Sequence, residues 1–244
     1  EPELPELPAL PDPDDVCSAM DDLNFMAYCY ENFDVNKDGK VSVTEANAAK
    51  EIYTTSSKWV SVKGIERFPN IEILSLNGSS ITELDLRYNL KLKSISGYSS
   101  LLTTVLLPNT LTSIEKSAFK ECASLIEIHF PASLTSIGVN AFYGCSSLTE
   151  INFPASLTSI GGSAFRGCSS LVEIHLSDNL TSIGEYAFSG CSSLTEINFP
   201  ASLTSIGGSA FSGCSSLTVI NLPARLTSVW GKAVCRGSRR IAIN

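Results

Sequence analysis

Residues 34–45 read Asp-Val-Asn-Lys-Asp-Gly-Lys-Val-Ser-Val-Thr-Glu, with oxygen-bearing side chains at alternating places. That donor set suits a hard divalent cation. Asp34, Asn36 and Asp38 take the first, third and fifth places of a twelve-residue calcium loop. Gly39 stands sixth, where the sharp turn needs a backbone angle that glycine reaches cheaply. Lys40 offers its carbonyl at the seventh place, and Ser42 at the ninth ligates directly or through water. Glu45 at the twelfth can bind with both carboxylate oxygens and starts the exit helix. The pattern predicts bound Ca²⁺; the alternative is a loop that keeps the shape without the ion. Only one such loop is present, so the expected role of the ion is structural stiffening rather than sensing.

A second set of chemistry-bearing residues recurs every 23 positions: Glu127, Glu150, Glu173 and Glu196. Two places further on stand His129, Asn152, His175 and Asn198. On strands, residues two apart share a face. These eight therefore form a polar wall, expected to bind a partner. Stacked like charges disfavour each other, so the alternative is that duplication copied a harmless surface glutamate. The two histidines sit two repeats apart, roughly 10 Å, too far to share a metal. No nucleophile motif accompanies them, and the chain reads as a non-enzyme.

Cysteine follows the same step at 122, 145, 168, 191 and 214. None of these has the close paired spacing of a zinc site. Stacked side chains point in parallel, keeping Cβ atoms near 4.8 Å where a disulfide prefers about 3.8 Å. A ladder of buried free thiols is expected. For Cys17 and Cys29, outside the ladder, bridged and free are equally open.

The elements that position these groups come from the repeat. Phe119, Phe142, Phe165, Phe188 and Phe211 keep the 23-residue step, as do Leu125 through Leu217 and Ile128 through Ile220. The segment Cys145–Phe165 returns letter for letter at Cys191–Phe211. Upstream the step shortens to 21, from Leu74 to Ile95 and from Leu84 to Val105. A period in the low twenties with leucine spacing L-x-x-L-x-L marks a leucine-rich repeat solenoid. Leu148, Ile151 and Phe153 point inward; Thr149, Glu150 and Asn152 point outward. "LTSIG" reads as a short strand on the opposite wall, and "GSAF" as a tight helical turn that drops Phe inside. The last repeat is atypical, with Val234 and Cys235 out of step and Arg239 and Arg240 sealing the end.

The expected fold is thus an α/β repeat solenoid of 23-residue coils with a parallel sheet face. Residues 1–15 read as an acidic Pro-rich spacer, 16–60 as a helix–loop–helix cap and 61–244 as the solenoid. The cap helices are "DDLNFMAYCYENF" and an Ala-rich "VTEANAAKEIYT".

The columns "C-S-S-L-T-E-I-x-F-P-x-S-L-T-S-I-G-x-x-A-F" resemble the BspA-type leucine-rich repeats of bacterial surface proteins. The likeness is close over about residues 110–235, and "IEILSLNGSSITELDLRYNLKLKSI" looks like a related, shorter repeat. "FMAYCYENFDVNKDGKVSVTEA" is similar to the EF-hand-like caps of such proteins from gut anaerobes. The resemblance implies export, often as a lipoprotein, and roles in adhesion or host binding.

Charge sharpens the list of partners. Residues 1–60 carry 13 acidic against 4 basic side chains, and the remainder 12 against 13. An acidic front repels phosphate backbones, which argues against nucleic acid. No run reaches the ~18 apolar residues of a membrane span. The Pro-rich acidic opening suits a mature exported chain whose leader is gone, with membrane contact only through a lipid anchor. The expected protein is a monomer that binds a protein or glycan ligand, such as one of the host, at the bacterial surface. A spacer without a ligand of its own is the alternative.

Overall fold

The computed structural model describes residues 4–54, 57–97, 99, 101–218, 220, 222, 223, 226, 228 and 229. Val234, Cys235, Arg239 and Arg240, expected to seal the array, lie outside the described residues.

Two helices open the chain. Helix α1 (Leu23–Phe33) starts where the Asp22 side chain accepts from Asn24 N and Phe25 N, and it buries Phe25 and Cys29. Phe25 packs against Trp59 with centroids 5.0 Å apart. Helix α2 (Val43–Ala48) begins at a reciprocal cap between Ser42 and Glu45. The expected second helix ran on to Thr54, but it stops at Ala48. Residues Glu51–Thr54 form strand β1, paired in parallel with β2 (Ile73–Leu76) through Ile52↔Leu74. Ile52, Tyr53 and Thr54 are β-branched or aromatic, and a ready sheet edge outweighs a short helix there.

The remaining strands, in chain order, are β3 (Glu83–Asp85), β4 (Ser94–Ser96), β5 (Thr104–Leu106), β6 (Ser113–Ile114), β7 (Glu127–His129), β8 (Ser136–Ile137), β9 (Glu150–Asn152), β10 (Ser159–Ile160), β11 (Glu173–His175), β12 (Ser182–Ile183), β13 (Ser205–Ile206) and β14 (Ser228–Val229). All pairings are parallel and build two walls. One wall holds β1-β2-β4 and the continuous ladder β6-β8-β10-β12-β13-β14. The other holds β3-β5-β7 and β9-β11. The shortened front period is visible as register, with Leu74 opposite Ile95 and Leu84 opposite Val105.

Between the walls runs the core. Phe142, Phe165 and Phe188 stack with centroids 5.1 and 5.3 Å apart and planes within 5°. Leu148 and Ile151 are fully buried and Phe153 nearly so, while Glu150 and Asn152 are exposed, as strand alternation requires. The corner that carries each Phe is the tight turn expected, built as a run of successive turns rather than one helical turn. Asn140, Phe142 and Gly144 donate their N–H groups to Gly162, Ala164 and Arg166 of the next coil, at 3.0, 2.7 and 2.8 Å. Donors already committed to the neighbouring coil cannot close helical hydrogen bonds within their own.

The Pro-rich segment is not a free spacer. Leu10 packs against the core, and Tyr88 Oη donates to the Pro5 carbonyl at 2.8 Å. Arg67 donates likewise to the Pro8 carbonyl. Asp15 is buried, accepting from Cys17 N and Val41 N and from Tyr30 Oη at 2.6 Å.

Candidate functional site

The loop after α1 has the turn its sequence predicts. Gly39 has φ +84° and Lys37 φ +59°, both in the left-handed region. Asp34 accepts from Asp38 N at 3.2 Å and Gly39 N at 2.9 Å. Asn36 accepts from Asp38 N, and Asp38 from Lys40 N. These contacts wrap the backbone around Asp34 and bring Asn36 Nδ2 within 2.9 Å of Asp38. Glu45 closes the loop: one oxygen accepts from Val35 N at 2.9 Å, the other from Ser42 N and Ser42 Oγ at 2.8 Å each. The Ser42 backbone and side-chain hydrogen bonds hold the Glu45 carboxyl below the usual carboxylate range.

The donor set is all oxygen, as a hard cation needs. Asp34, Asn36 and Asp38 are drawn together, whereas Glu45 is committed to Ser42 and would have to turn inward to ligate. Among the described residues, no three His, Cys, Asp or Glu side chains are grouped tightly enough to hold an ion. Lys40 turns its side chain outward to Asp12, at 3.0 Å. That contact holds Asp12 below its usual range and raises Lys40.

The second set lies on the exposed face of the β3-to-β11 wall and of the coil that follows it. Register places Glu150 opposite Glu173 and Asn152 opposite His175. Further forward, Glu127 lies opposite Thr104, which in turn lies opposite Glu83, while His129 lies opposite Leu106, which in turn lies opposite Asp85. Each glutamate has a partner two residues on. His129 Nε2 lies 2.9 Å from Glu127, and His175 Nε2 3.1 Å from Glu173. Asn152 donates to Glu150 at 2.7 Å and Asn198 to Glu196 at 3.0 Å. The anticipated crowding of like charges is thus eased by an alternating column of donors. Shallow clefts of about 200 and 350 Å³ open between Glu127 and Glu150 and between Glu173 and Glu196.

The cysteine ladder is buried and unbridged, and Cys17 and Cys29 are also free. Each ladder thiol has an acceptor: Cys168 donates to Phe142 O at 3.3 Å and Cys191 to Phe165 O at 3.3 Å.

Sequence reasoning missed a cation–aromatic ladder on the corner. Lys120 Nζ sits 5.7 Å from the Tyr143 ring, and the Arg166 guanidinium 5.9 Å from Tyr143 and 5.3 Å from Tyr186. The signal was available. The residue after each core Phe changes from Lys120 to Tyr143 to Arg166 in coils that otherwise nearly repeat.

A profile described as the BspA type leucine rich repeat region, in 6 copies, matches residues 46–148 and 135–238. Among solved structures, a leucine rich repeat protein of T. pallidum is 38% identical, with a TM-score of 0.46 over 48% of this chain and 54% of that one. The chain therefore spans about half of that relative's length. A leucine rich cell surface protein of Faecalibacterium prausnitzii is 23% identical, with a TM-score of 0.43 over 83% of this chain and 72% of that one. A leucine-rich repeat protein of Eubacterium ventriosum is 20% identical, with a TM-score of 0.43 over 76% and 63%. The curated proteins contain no match.

Proposed function

Because the chain belongs to the BspA type leucine rich repeat family, we propose that it is a non-catalytic binding module of the bacterial cell surface. Its ligand is a protein or glycan, host-derived in an adhesion setting, and a lipid anchor upstream would hold the module in place. The supporting observation is the wall of exposed, aligned Glu127, Glu150, Glu173 and Glu196 with their His and Asn donors. A stripe of one sign focuses potential and speeds the approach of a cationic partner. Loop 34–45 would hold Ca²⁺ through Asp34, Asn36, Asp38, the Lys40 carbonyl, Ser42 and Glu45. The ion would tie the exit of α1 to the start of α2.

The test is a glycan array and a pull-down with the full chain, followed by titration of the recovered partner. Glu150→Gln together with Glu173→Gln should weaken binding, as should salt above the ~0.1–0.15 M screening regime. A partner indifferent to both would show that the wall does not bind it. A ligand-free spacer is the second reading, favoured by the uninterrupted Phe stack and the verbatim repeat.

A further inference from the structure

The segment from Leu4 to Pro11 has a three-residue period: Pro at 5, 8 and 11, and Leu at 4, 7 and 10. Three residues make one turn of a polyproline II helix, with a rise of about 3.1 Å each. One edge of such a helix carries the leucines and another the prolines. The structure uses this division from Leu7 onward, with Leu7 and Leu10 half-buried and Leu4, Pro5, Glu6, Pro8 and Ala9 exposed. Capture is through the backbone. Tyr88 and Arg67, one 21-residue coil apart, donate to the Pro5 and Pro8 carbonyls, one triplet apart. Carbonyls are common to every sequence, so these two donors select an extended backbone and leave side-chain choice to the pocket.

That pocket is poorly filled. Leu7 borders a cavity of about 350 Å³ against Val62, Ile65 and Tyr88. Its polar rim holds Asp21, Glu66, Glu83 and Asp85 against Lys63 and Arg87. Arg87 is already taken by Asp85 at 2.7 Å, so carboxylates are left in excess beside an apolar leucine. Glu83 and Asp85 are also the front members of the columns that continue as Glu127 and His129. The segment therefore lies on the front end of the same wall.

We propose that this end of the wall is a docking groove for an extended Pro-rich peptide with a basic side chain at the place of Leu7, and that residues 4–8 occupy it in cis. The inference deepens the binding role proposed above and rests on it. The cavity takes the longer cationic side chain that Leu7 does not supply, while Tyr88 and Arg67 hold the backbone. The cis segment is a weak occupant, held by two carbonyls and the half-buried Leu7, and a better peptide displaces it.

The probe is a synthetic peptide with Lys between prolines at every third residue, titrated by fluorescence anisotropy into the full chain. A Glu-for-Lys peptide is the control. The Lys peptide should bind and the Glu peptide should not. Leu7→Ser loosens the cis occupant without touching the groove, so the Lys peptide should bind it about five- to tenfold more tightly. Tyr88→Phe should weaken binding. Both variants should keep the parent melting temperature. Equal binding to the parent chain and Leu7→Ser, or binding to neither, overturns the proposal. Glu150 and Glu173 lie outside this groove, so the peptide assay fails independently of the partner test above.

Discussion

The Cys145 thiol donates to the carbonyl oxygen of Phe119, 3.2 Å away and one coil earlier. Cys168, Cys191 and Cys214 repeat the contact to Phe142, Phe165 and Phe188. Burial pushes the Cys145, Cys168 and Cys191 thiols well above the ordinary 9.0, and Cys122 up to about 11. The reactive form is the thiolate, so native protein at pH 8 should react little with an aromatic disulfide reagent. Denaturant without reductant should then release at least five more thiols. Release of none of the five would mean that they are bridged. Cys168→Ala removes one of two donors to the Phe142 carbonyl, which still accepts from Cys145 N at 3.2 Å, and should cost about 0.5–1.5 kcal/mol, more than Cys168→Ser.

Asp22 gathers four backbone amides: Asn24 N and Phe25 N on one oxygen, Val60 N and Ser61 N on the other. Burial alone would raise its pKa, but the hydrogen bonds from Val60, Phe25, Ser61 and Asn24 outweigh it, and the carboxyl falls below 3.8. A depressed carboxylate stabilises the fold above its unfolded value of 3.8 and loses that contribution as pH falls through the folded value. Asp22→Ala should therefore cost about 2–3 kcal/mol at pH 7. Urea unfolding of both proteins should show the gap narrowing in acid below pH 3.8.

Calcium should bind the 34–45 loop in the ~10⁻⁴–10⁻³ M range of extracellular modules. Isothermal calorimetry should show saturable heat, and millimolar calcium should raise the melting temperature. Asp34→Ala should abolish both effects. No heat at millimolar calcium, with an unchanged melt, would remove calcium from the account of this protein.

Gly161 packs directly on the backbone of the coil before it. A Cβ there would lie 2.7 Å from Gly138 C and 2.8 Å from Val139 N. Neither atom can yield without parting the coils, so Gly161→Ala should cost about 3 kcal/mol, the upper end of overpacking. Gly39→Ala meets nothing within 4 Å and suffers only from φ +84°. It should cost about 1 kcal/mol. Paired thermal melts decide both.

The coil architecture was legible because burial repeats in register: the same letter in the same column faces the same neighbour. Leu148, Ile151 and Phe142 could be assigned to the interior from spacing alone. The helix expected through Thr54 failed for a nonlocal reason, since the edge of β2 was invisible to a local reading. The corner's tight turn was legible, but not that every second N–H would go to the next coil instead of closing a helical turn. Leu7 and Leu10 were overlooked because a Pro-rich acidic run has the composition of a linker. Its three-residue period, which places the leucines on one edge, was the signal that composition averaged away. The turn of loop 34–45 and the exposed Glu wall were readable from the sequence, but the engagement of Glu45 by Ser42 and of Glu150 by Asn152 depends on rotamers that no sequence pattern specifies.

The contact of Phe165 with Phe188 copies that of Phe142 with Phe165, with centroids 5.3 and 5.1 Å apart and planes at 4° and 5°. Coils joined by such equivalent interfaces are interchangeable parts. Duplication or loss of one 23-residue unit re-creates the same junction on either side, and stability changes by roughly one interface and one coil. Length is then a nearly neutral genetic variable, adjustable in steps of about 4.8 Å. Each step also adds or removes one glutamate of the outer wall, so the reach of the molecule and the valency of its acidic face evolve together.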